Sequence, residues 1–556
     1  MKNIRKYLKE ALIFDIKAGF ITAIVALPLA IAFAMASGVP AIMGLYTAVI
    51  AGILGSSFGG SKFSITGPTG AMTVIILATV NKFGIEGLLM AGFLAGLFQI
   101  IFGLMKAGRF VRYIPLPIIS GFTAGIGVII LIGQIPNFLG LSLPPKEFVW
   151  ETIIQVIENL GSIKWAAVDI AISTVLIIVL FPKITDKIKF LKNVPPTIVA
   201  LLVFSIATFI LAIQIPVVGA IPAGLPMPQL INFNLDLMRK VLPSAFTIAL
   251  LGSIESLLCA VVCDAMTGTK HKSNKELIGQ GIANVVLPFF NAIPSTAAIA
   301  RSAVNTREGA KTKYAGIIHA LILLIIVLFL APYAEHIPRA FLAGVLIFVS
   351  IKMIDIREFR TIMHISMSDT AVLFITFFLT IFTDLVFAVQ VGMILAIFLL
   401  FIKLTRMVEV SHMEEYDPRG TVRAAMKKHP NLKENVAIYT IHGPFFFGAM
   451  NVFDRKINEH INIRKKIIVL RNGHVTFIDS TGVARLNSFL EERKKANSTV
   501  LLTGLRPQVR KVLFNNKDFS KNMDKEHIFE SLEESLNYIE GNLLPKEETR
   551  AEQKSQ

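Results

Sequence analysis

Cysteine is nearly missing from this chain: two residues in 556, Cys259 and Cys263, one helical turn apart in an apolar stretch. That number and setting exclude a disulfide framework and a zinc site. Charge is also scarce, 17% of residues against 54% hydrophobic, which excludes an ordinary soluble protein. Acidic residues number 38 against 55 basic, a net charge of +17. Such an excess would suit nucleic acid if it formed one face. Up to Arg406, however, Lys and Arg gather in alternate loops, which is the positive-inside pattern of a membrane protein. A nucleophile paired with a base is missing, and His271, His319 and His364 show no metal spacing, so an enzyme is not expected. GPTG at Gly67–Gly70 lacks the lysine of a phosphate-binding Walker motif. The opening MKNIRKYLKEALIFDIK is basic and amphipathic, unlike a cleavable signal peptide.

Long apolar runs are what the chain has in plenty, and they predict a polytopic helical membrane protein. Spans are expected near Asp15–Ala36, Ala41–Phe58, Thr66–Val80, Ile85–Met105, Pro117–Ile135, Lys164–Phe181 and Pro196–Ile213. After a proline-rich connector come Leu242–Ala265, Leu277–Phe290, Thr296–Val304, Tyr314–Ala331, Phe341–Met353 and Thr370–Ile402, the last long enough for two passes around Thr383–Asp384. About fourteen passes with the N-terminus inside put the Lys106/Arg109/Arg112 group, Lys183–Lys192, Lys270–Lys275, Arg307–Lys313 and Lys352–Arg360 in the cytoplasm. The outward loops then hold little more than Lys82, Lys146, Lys164, Arg239, Lys240 and Arg339. The chain is expected in the cytoplasmic membrane, with both ends inside.

Asn291–Lys313, NAIPSTAAIARSAVNTREGAKTK, interrupts this apolar pattern. Pro294 cannot donate a backbone hydrogen bond and disfavours helix at the residue before it. A helix is expected to start at Ser295 or Thr296, capped by the hydroxyls, with Arg301 about two turns in. Within a bilayer such a break is tolerated where it lines protein or a watery cavity. Free N–H groups, the positive helix end and Arg301 together suit an anion. The alternative is a loop proline ahead of an ordinary helix, with Arg301 paired to an acidic neighbour. An offset of 226 residues carries Pro68-Thr69-Gly70-Ala71 onto Pro294-Ser295-Thr296-Ala297, so the third and tenth spans are both broken. Matched interruptions in two halves point to a transporter's site, and an odd number of passes in each half makes the halves inverted.

Glu255 sits deep within the apolar LLGSIESLLCAVV, where an ionisable group suggests function and could carry a proton. The alternative is a fixed Glu255–Arg301 ion pair. Asp264, Asp384 and Glu86 lie near span ends and read as solvated caps. From Asn435 the pattern becomes soluble α/β, with strands at Asn435–Ile441, Lys466–Leu470 and Thr499–Leu502 and helices at Gly448–Ile461 and Thr481–Ala496. The expected organisation is residues 1–14 as a cytoplasmic segment and 15–406 as the transporter domain, with repeats at about 15–213 and 242–402. A linker at 407–434, an α/β domain at 435–544 and a disordered tail at 545–556 complete it.

ALPLAIAFAMASGVPAIMGLYTAVI at Ala26–Ile50, GPTGAMTVIIL at Gly67–Leu77, IESLLCAVVCDAMTGTKHKSNKELIGQGIAN at Ile254–Asn284 and AAIARSAVNTREGAKT at Ala297–Thr312 resemble the SulP anion transporter family. IDSTGVARL at Ile478–Leu486 is similar to the STAS domain that ends most members. The resemblance implies fourteen segments as two inverted seven-segment repeats, half-helices at segments 3 and 10, and a homodimer. It implies secondary transport of sulfate, bicarbonate or a dicarboxylate by proton symport or exchange, without a cofactor. By motif match the anion would meet Leu29, Phe33, Thr69, Ile299, Ala300 and Arg301, and Glu255 holds the acidic position of the eighth span. Sodium-coupled bicarbonate carriers of the family place an aspartate and a threonine where this chain has Glu255 and Cys259, a departure that favours the proton over sodium. Ser480 and Thr481 match the STAS loop phosphorylated in some relatives, the alternative there being a plain helix cap. A channel-like pathway, or a sensor signalling through the STAS domain, are the competing functions.

Overall fold

The computed structural model describes residues 2–109, 114–146, 148–185, 194–219, 224, 227–231, 233–330, 335–383, 385–412, 420–460 and 466–544. Asp384, Arg112 and most of 183–192, together with the tail from 545, lie outside them. Two compact units result, Met1–Ala396 and Ile397–Gln556.

The first unit begins with α1 (Lys2–Ala36), α2 (Ala41–Phe58), α3 (Gly70–Leu104), α4 (Leu116–Gly133), the short α5 (Ile135–Phe138), α6 (Val149–Glu158), α7 (Trp165–Thr185) and α8 (Pro196–Ile210). It continues with α9 (Leu235–Thr267), α10 (Ser273–Val286), α11 (Ile299–Arg307), α12 (Tyr314–Leu330), α13 (Arg339–Met353), α14 (Ile356–Ile365), α15 (Met367–Phe382) and the start of α16 (Leu385–Arg406), whose residues from Ile397 belong to the second unit. Among the described residues seven helices are long and apolar enough to cross a membrane, and Pro196–Ile210, Tyr314–Phe329 and Met367–Phe382 are shorter apolar ones. Gly84, non-helical at φ 70° and ψ −175°, divides α3 into two helices that meet at a kink, and these are the third and fourth expected spans.

Two bodies of helices build the unit. One packs α1, α2 and α12 with α3, α9 and α10; the other packs α4 with α13 and α15, and α7 with α13 and α8. Polar side chains fix the first body where apolar burial gives no register. Thr47 on α2 donates to Ile293 O (3.0 Å) and accepts from Ile293 N (2.8 Å). Asn284 on α10 donates to Gln99 Oε1 on α3 (2.8 Å), and its Oδ1 accepts from Ser295 N (2.8 Å). Asp15 on α1 accepts from Lys311 N (2.7 Å) and Thr312 N (3.0 Å), holding the turn between α11 and α12.

The second unit is an α/β fold around a five-stranded sheet ordered β3 (Glu409–His412), β4 (Val436–Phe445), β5 (Ile467–Ile478), β6 (Thr499–Thr503), β7 (Ile528–Phe529), counting β1 and β2 of the membrane unit below. β3 is antiparallel to β4 and lies within the stretch read from sequence as linker; the remaining pairs are parallel. Parallel strands need helical crossovers, supplied by α18 (Met450–His460) and α19 (Ser480–Lys495), with α17 (Thr421–Lys428) ahead of β4. Phe445, Phe453 and Phe489 are buried in its core, with Phe453 edge-on to both others.

Candidate anion site at two facing helix tips

Two interrupted spans meet in the middle of the first unit. β1 (Thr66–Gly67) and β2 (Thr296–Ala297) pair antiparallel, Thr66 opposite Ala297 and Gly67 opposite Thr296. Antiparallel pairing is the relation that inverted halves require. α3 starts three residues after β1, and α11 starts just after β2, at Ile299. The strand pair joins them, and its outer polar groups are satisfied from neighbouring helices. Gln280 Nε2 donates to Thr66 Oγ1 (2.9 Å), Ser256 Oγ bonds Thr296 Oγ1 (2.7 Å), and Ser302 Oγ accepts from Ile65 N (2.8 Å).

This geometry corrects four expectations. The tenth helix does not start at Ser295 or Thr296, because pairing with β1 keeps Thr296–Ala297 extended. The two hydroxyls do not cap it: Ser295 Oγ donates to Asn284 Oδ1 (3.2 Å) and Thr296 Oγ1 to Gly252 O (3.0 Å). Arg301 therefore lies in the first turn of α11 rather than two turns in. The proline-matched offset is also misregistered, since Pro68 follows β1 whereas Pro294 precedes β2.

Neither helix tip carries a side-chain cap. The first bond of α11 runs from Ser302 N to Ala298 O (3.0 Å), so the N–H groups of Ile299, Ala300 and Arg301 precede the helical ladder. Ile299, 38% accessible, and Ala300 are exposed there. Arg301 is 1% accessible; its Nη2 donates to Pro68 O (2.8 Å), while Nε and Nη1 meet no acceptor among the described residues. One guanidinium thus crosses from the α11 tip to the entry of α3. Gly67 permits this, because a Cβ there would collide with Arg301 Nη1.

Thr69, the residue before α3, turns its hydroxyl to Glu255 Oε2 on α9 (2.9 Å) instead of capping. Glu255 feels the Arg301 charge but makes no ion-pair contact with it. The alternative Glu255–Arg301 bridge is not formed in this structure. Phe33 on α1 and Ile130 on α4 close over Gly70, since a Cβ at Gly70 would stand 3.3 Å from Phe33 Cε1 and 2.8 Å from Ile130 Cδ1. Leu29 is buried one turn earlier on α1. Cys259 Sγ donates to Ser302 Oγ (3.1 Å).

Sequence reasoning passed over Glu276, whose Oε2 accepts from Gly60 N (2.6 Å) and Ser61 N (2.7 Å), holding the segment that leads into β1. An acid at the edge of the expected Leu277–Phe290 span, four residues before Gln280, was the available signal. His319 on α12 also went unassigned; it is fully buried, meets no acceptor or donor among the described residues at either ring nitrogen, and feels the Arg301 charge. Asp264 binds His271 Nδ1 (2.7 Å) and His271 N (2.9 Å), stapling the turn between α9 and α10. In the second unit Asp479 caps α19 through Gly482 N (2.7 Å), and Ser480 and Thr481 beside it are exposed.

A helical membrane unit with paired half-helix tips, followed by an α/β unit, defines a transporter architecture. The profile of the Sulfate permease family matches residues 12–376, and that of the STAS domain matches residues 425–535. The chain belongs to the sulfate permease family and is an anion transporter, not an enzyme. It is 37% identical over 538 residues to the putative sulfate transporter YvdB of Bacillus subtilis, covering 96% of this chain and 98% of that protein. Over 538 residues it is 32% identical to the bicarbonate transporter BicA of Picosynechococcus, covering 94% of each. The solved transmembrane domain of a cyanobacterium BicA is 35% identical, with a TM-score of 0.60 over 69% of this chain and 97% of that one. The structure of SLC26A9 shares the fold at 18% identity, with a TM-score of 0.84 over 96% and 91%.

Proposed function

We propose that this chain is a secondary active transporter of small oxyanions, sulfate, bicarbonate or a short dicarboxylate, in the cytoplasmic membrane. The observation that supports the reading is the junction of the α3 and α11 tips, with a buried Arg301 spanning them and, among the described residues, no carboxylate in contact with it. Each tip contributes about half a positive charge. The guanidinium adds a whole one, and the bare N–H groups at Ile299, Ala300 and Arg301 supply donors at fixed positions. The anion rests against these donors, with Phe33, Leu29 and Thr69 walling the site. Many oxyanions satisfy such a site, which names a class rather than one ion.

Glu255 supplies coupling. Its carboxylate is bonded through Thr69 to the α3 tip and stands in the field of Arg301. An arriving anion repels that carboxylate, and proton uptake by Glu255 relieves the repulsion, so anion and proton move together. Without a proton gradient the same cycle performs exchange. The protein works as a homodimer, the state that the family resemblance implies.

Sodium-coupled bicarbonate symport is the second reading, favoured by the likeness to bicarbonate transporters. Against it, Cys259 is committed to Ser302, and a thiol is a poor ligand for a hard cation. Uptake of radiolabelled sulfate, bicarbonate and succinate into proteoliposomes, under imposed proton or sodium gradients, tests both. Accumulation of an oxyanion driven by a proton gradient supports the first reading. Accumulation that responds to sodium alone establishes the second, and an absence of uptake for every anion and gradient refutes both.

A further inference from the structure

Ile130, which packs over Gly70, also lines a cavity of about 100 Å³. α1, α3 and α4 all run towards it: its walls come from the last residues of α1, the first turns of α3 and the end of α4. Thr73 and Leu77 of α3 line it, as do Ile130 and Gln134 of the α4 end. Ile130 therefore touches both the cavity and the Gly70 tip. The remaining wall carries two cations, Lys146 and Arg339, and no carboxylate among the described residues.

The polar groups are poised for a ligand. Arg339 is anchored through Nε to Val217 O (2.9 Å), while its Nη groups meet no acceptor among the described residues. Gln134 is 5% accessible; its Oε1 accepts from Asn137 Nδ2 (3.2 Å), and its own amide N–H donors meet no acceptor there. Lys146 is exposed, with no acidic partner among the described residues. Two cations and an amide with free donors match an oxyanion. Pockets for drug-sized molecules run to roughly 300–1,000 Å³, so this one suits an ion with a few waters.

We propose that this cavity is a second binding site for a small oxyanion, on the outer face, where the ion is held before it passes Phe33 and Ile130. The proposal rests on the transport reading and on the charge pattern that places Lys146 and Arg339 outside. It adds a site distinct from the one at the helix tips. A fixed positive field in a narrow cavity raises the local anion concentration, an effect that salt weakens.

Lys146→Gln and Lys146→Glu are the variants to make, because this exposed side chain holds no structural partner among the described residues; Arg339→Gln is a third. Uptake of radiolabelled sulfate and bicarbonate is measured in intact cells and in everted membrane vesicles of the same cells. In intact cells the KM is expected to rise about threefold for Lys146→Gln and about tenfold for Lys146→Glu, with the maximal rate kept and the difference shrinking as ionic strength rises. In everted vesicles the KM is expected to be unchanged. A KM unaltered on both sides overturns the proposal, and so does an equal rise on both, which would place Lys146 in effect at the central site. If the wild-type protein transports nothing in either preparation, the transport reading fails and takes this proposal with it, a result distinct from the other two.

Discussion

The tips of α3 and α11 use one backbone device and differ in what supports it. Both follow a two-residue strand, and both lack a side-chain cap. Around the α3 tip stand a glycine, a threonine turned aside to Glu255, and the buried rings and methyls of Phe33 and Ile130. The α11 tip has Arg301 in its first turn and exposes Ile299 and Ala300. Donors come from both halves, then, while the full charge comes from one and the closed wall from the other. On the proposed reading, this asymmetry would let one site attract an anion and still be shut on one side.

Removing the charge should break the comparison most severely. Arg301→Gln deletes the charge and the bond to Pro68, and hydrogen bonds to charged groups contribute about 1.5–3 kcal/mol. Initial uptake at low anion concentration is expected to fall by ~10–100-fold. Arg301→Lys should recover little, since a single ammonium replaces a planar fork. Near-normal uptake by either variant would remove the arginine from the account.

Gly67→Ala attacks the same charge from the α3 side. The added methyl would collide with Nη1, and a neighbour displaced in a packed interior typically costs about 1–3 kcal/mol. Uptake should drop about tenfold while Gly84→Ala, in open space though strained at φ 70°, leaves anion affinity unchanged. Equal KM values for Gly67→Ala and wild type would show that the guanidinium is not held as described.

Glu255→Gln sharpens the comparison by separating coupling from binding. Anion exchange should persist, and accumulation driven by a proton gradient should disappear, read as counterflow against net uptake. Loss of counterflow with the fold retained would make Glu255 part of the anion site instead. A smaller effect is expected of Thr69→Val, which removes one hydrogen bond of about 0.5–1.5 kcal/mol and should shift the pH profile of uptake more than its maximum.

The smallest effect lies in the other unit. Asp479→Ala removes the cap of α19, a change of about 0.5–2 kcal/mol, and should lower the melting temperature without altering the anion KM. If Ser480→Glu changes transport where Asp479→Ala does not, the loop is a regulatory switch and not only a helix cap.

Pro68, Pro294 and Arg301 made the broken spans legible, because a proline and a lone cation are conspicuous among apolar residues. Span positions followed from run length and loop charge in the same way. The strand pair was hidden, since two residues of β structure leave no periodicity, and Arg301 was consequently placed too deep in its helix. The side chains that hold the tips together were hidden for a related reason. Thr47 meets Ile293 across 246 positions and Asn284 meets Gln99 across 185, so neither link leaves a local pattern. His319 could have been marked as an ionisable group within an apolar span, and Glu276 as one at the edge of a span, but their partners are facts of three-dimensional packing.

The most direct test places a single reactive thiol at the α11 tip. Both native cysteines, Cys259 and Cys263, are buried, so Ala300→Cys should be the one site open to a charged thiosulfonate reagent. The account predicts modification that blocks uptake, slowed by a transported anion in proportion to its occupancy and unaffected by an anion the protein does not carry. Modification at the same rate whether or not a transported anion is bound would mean that the ion does not sit between these helix tips.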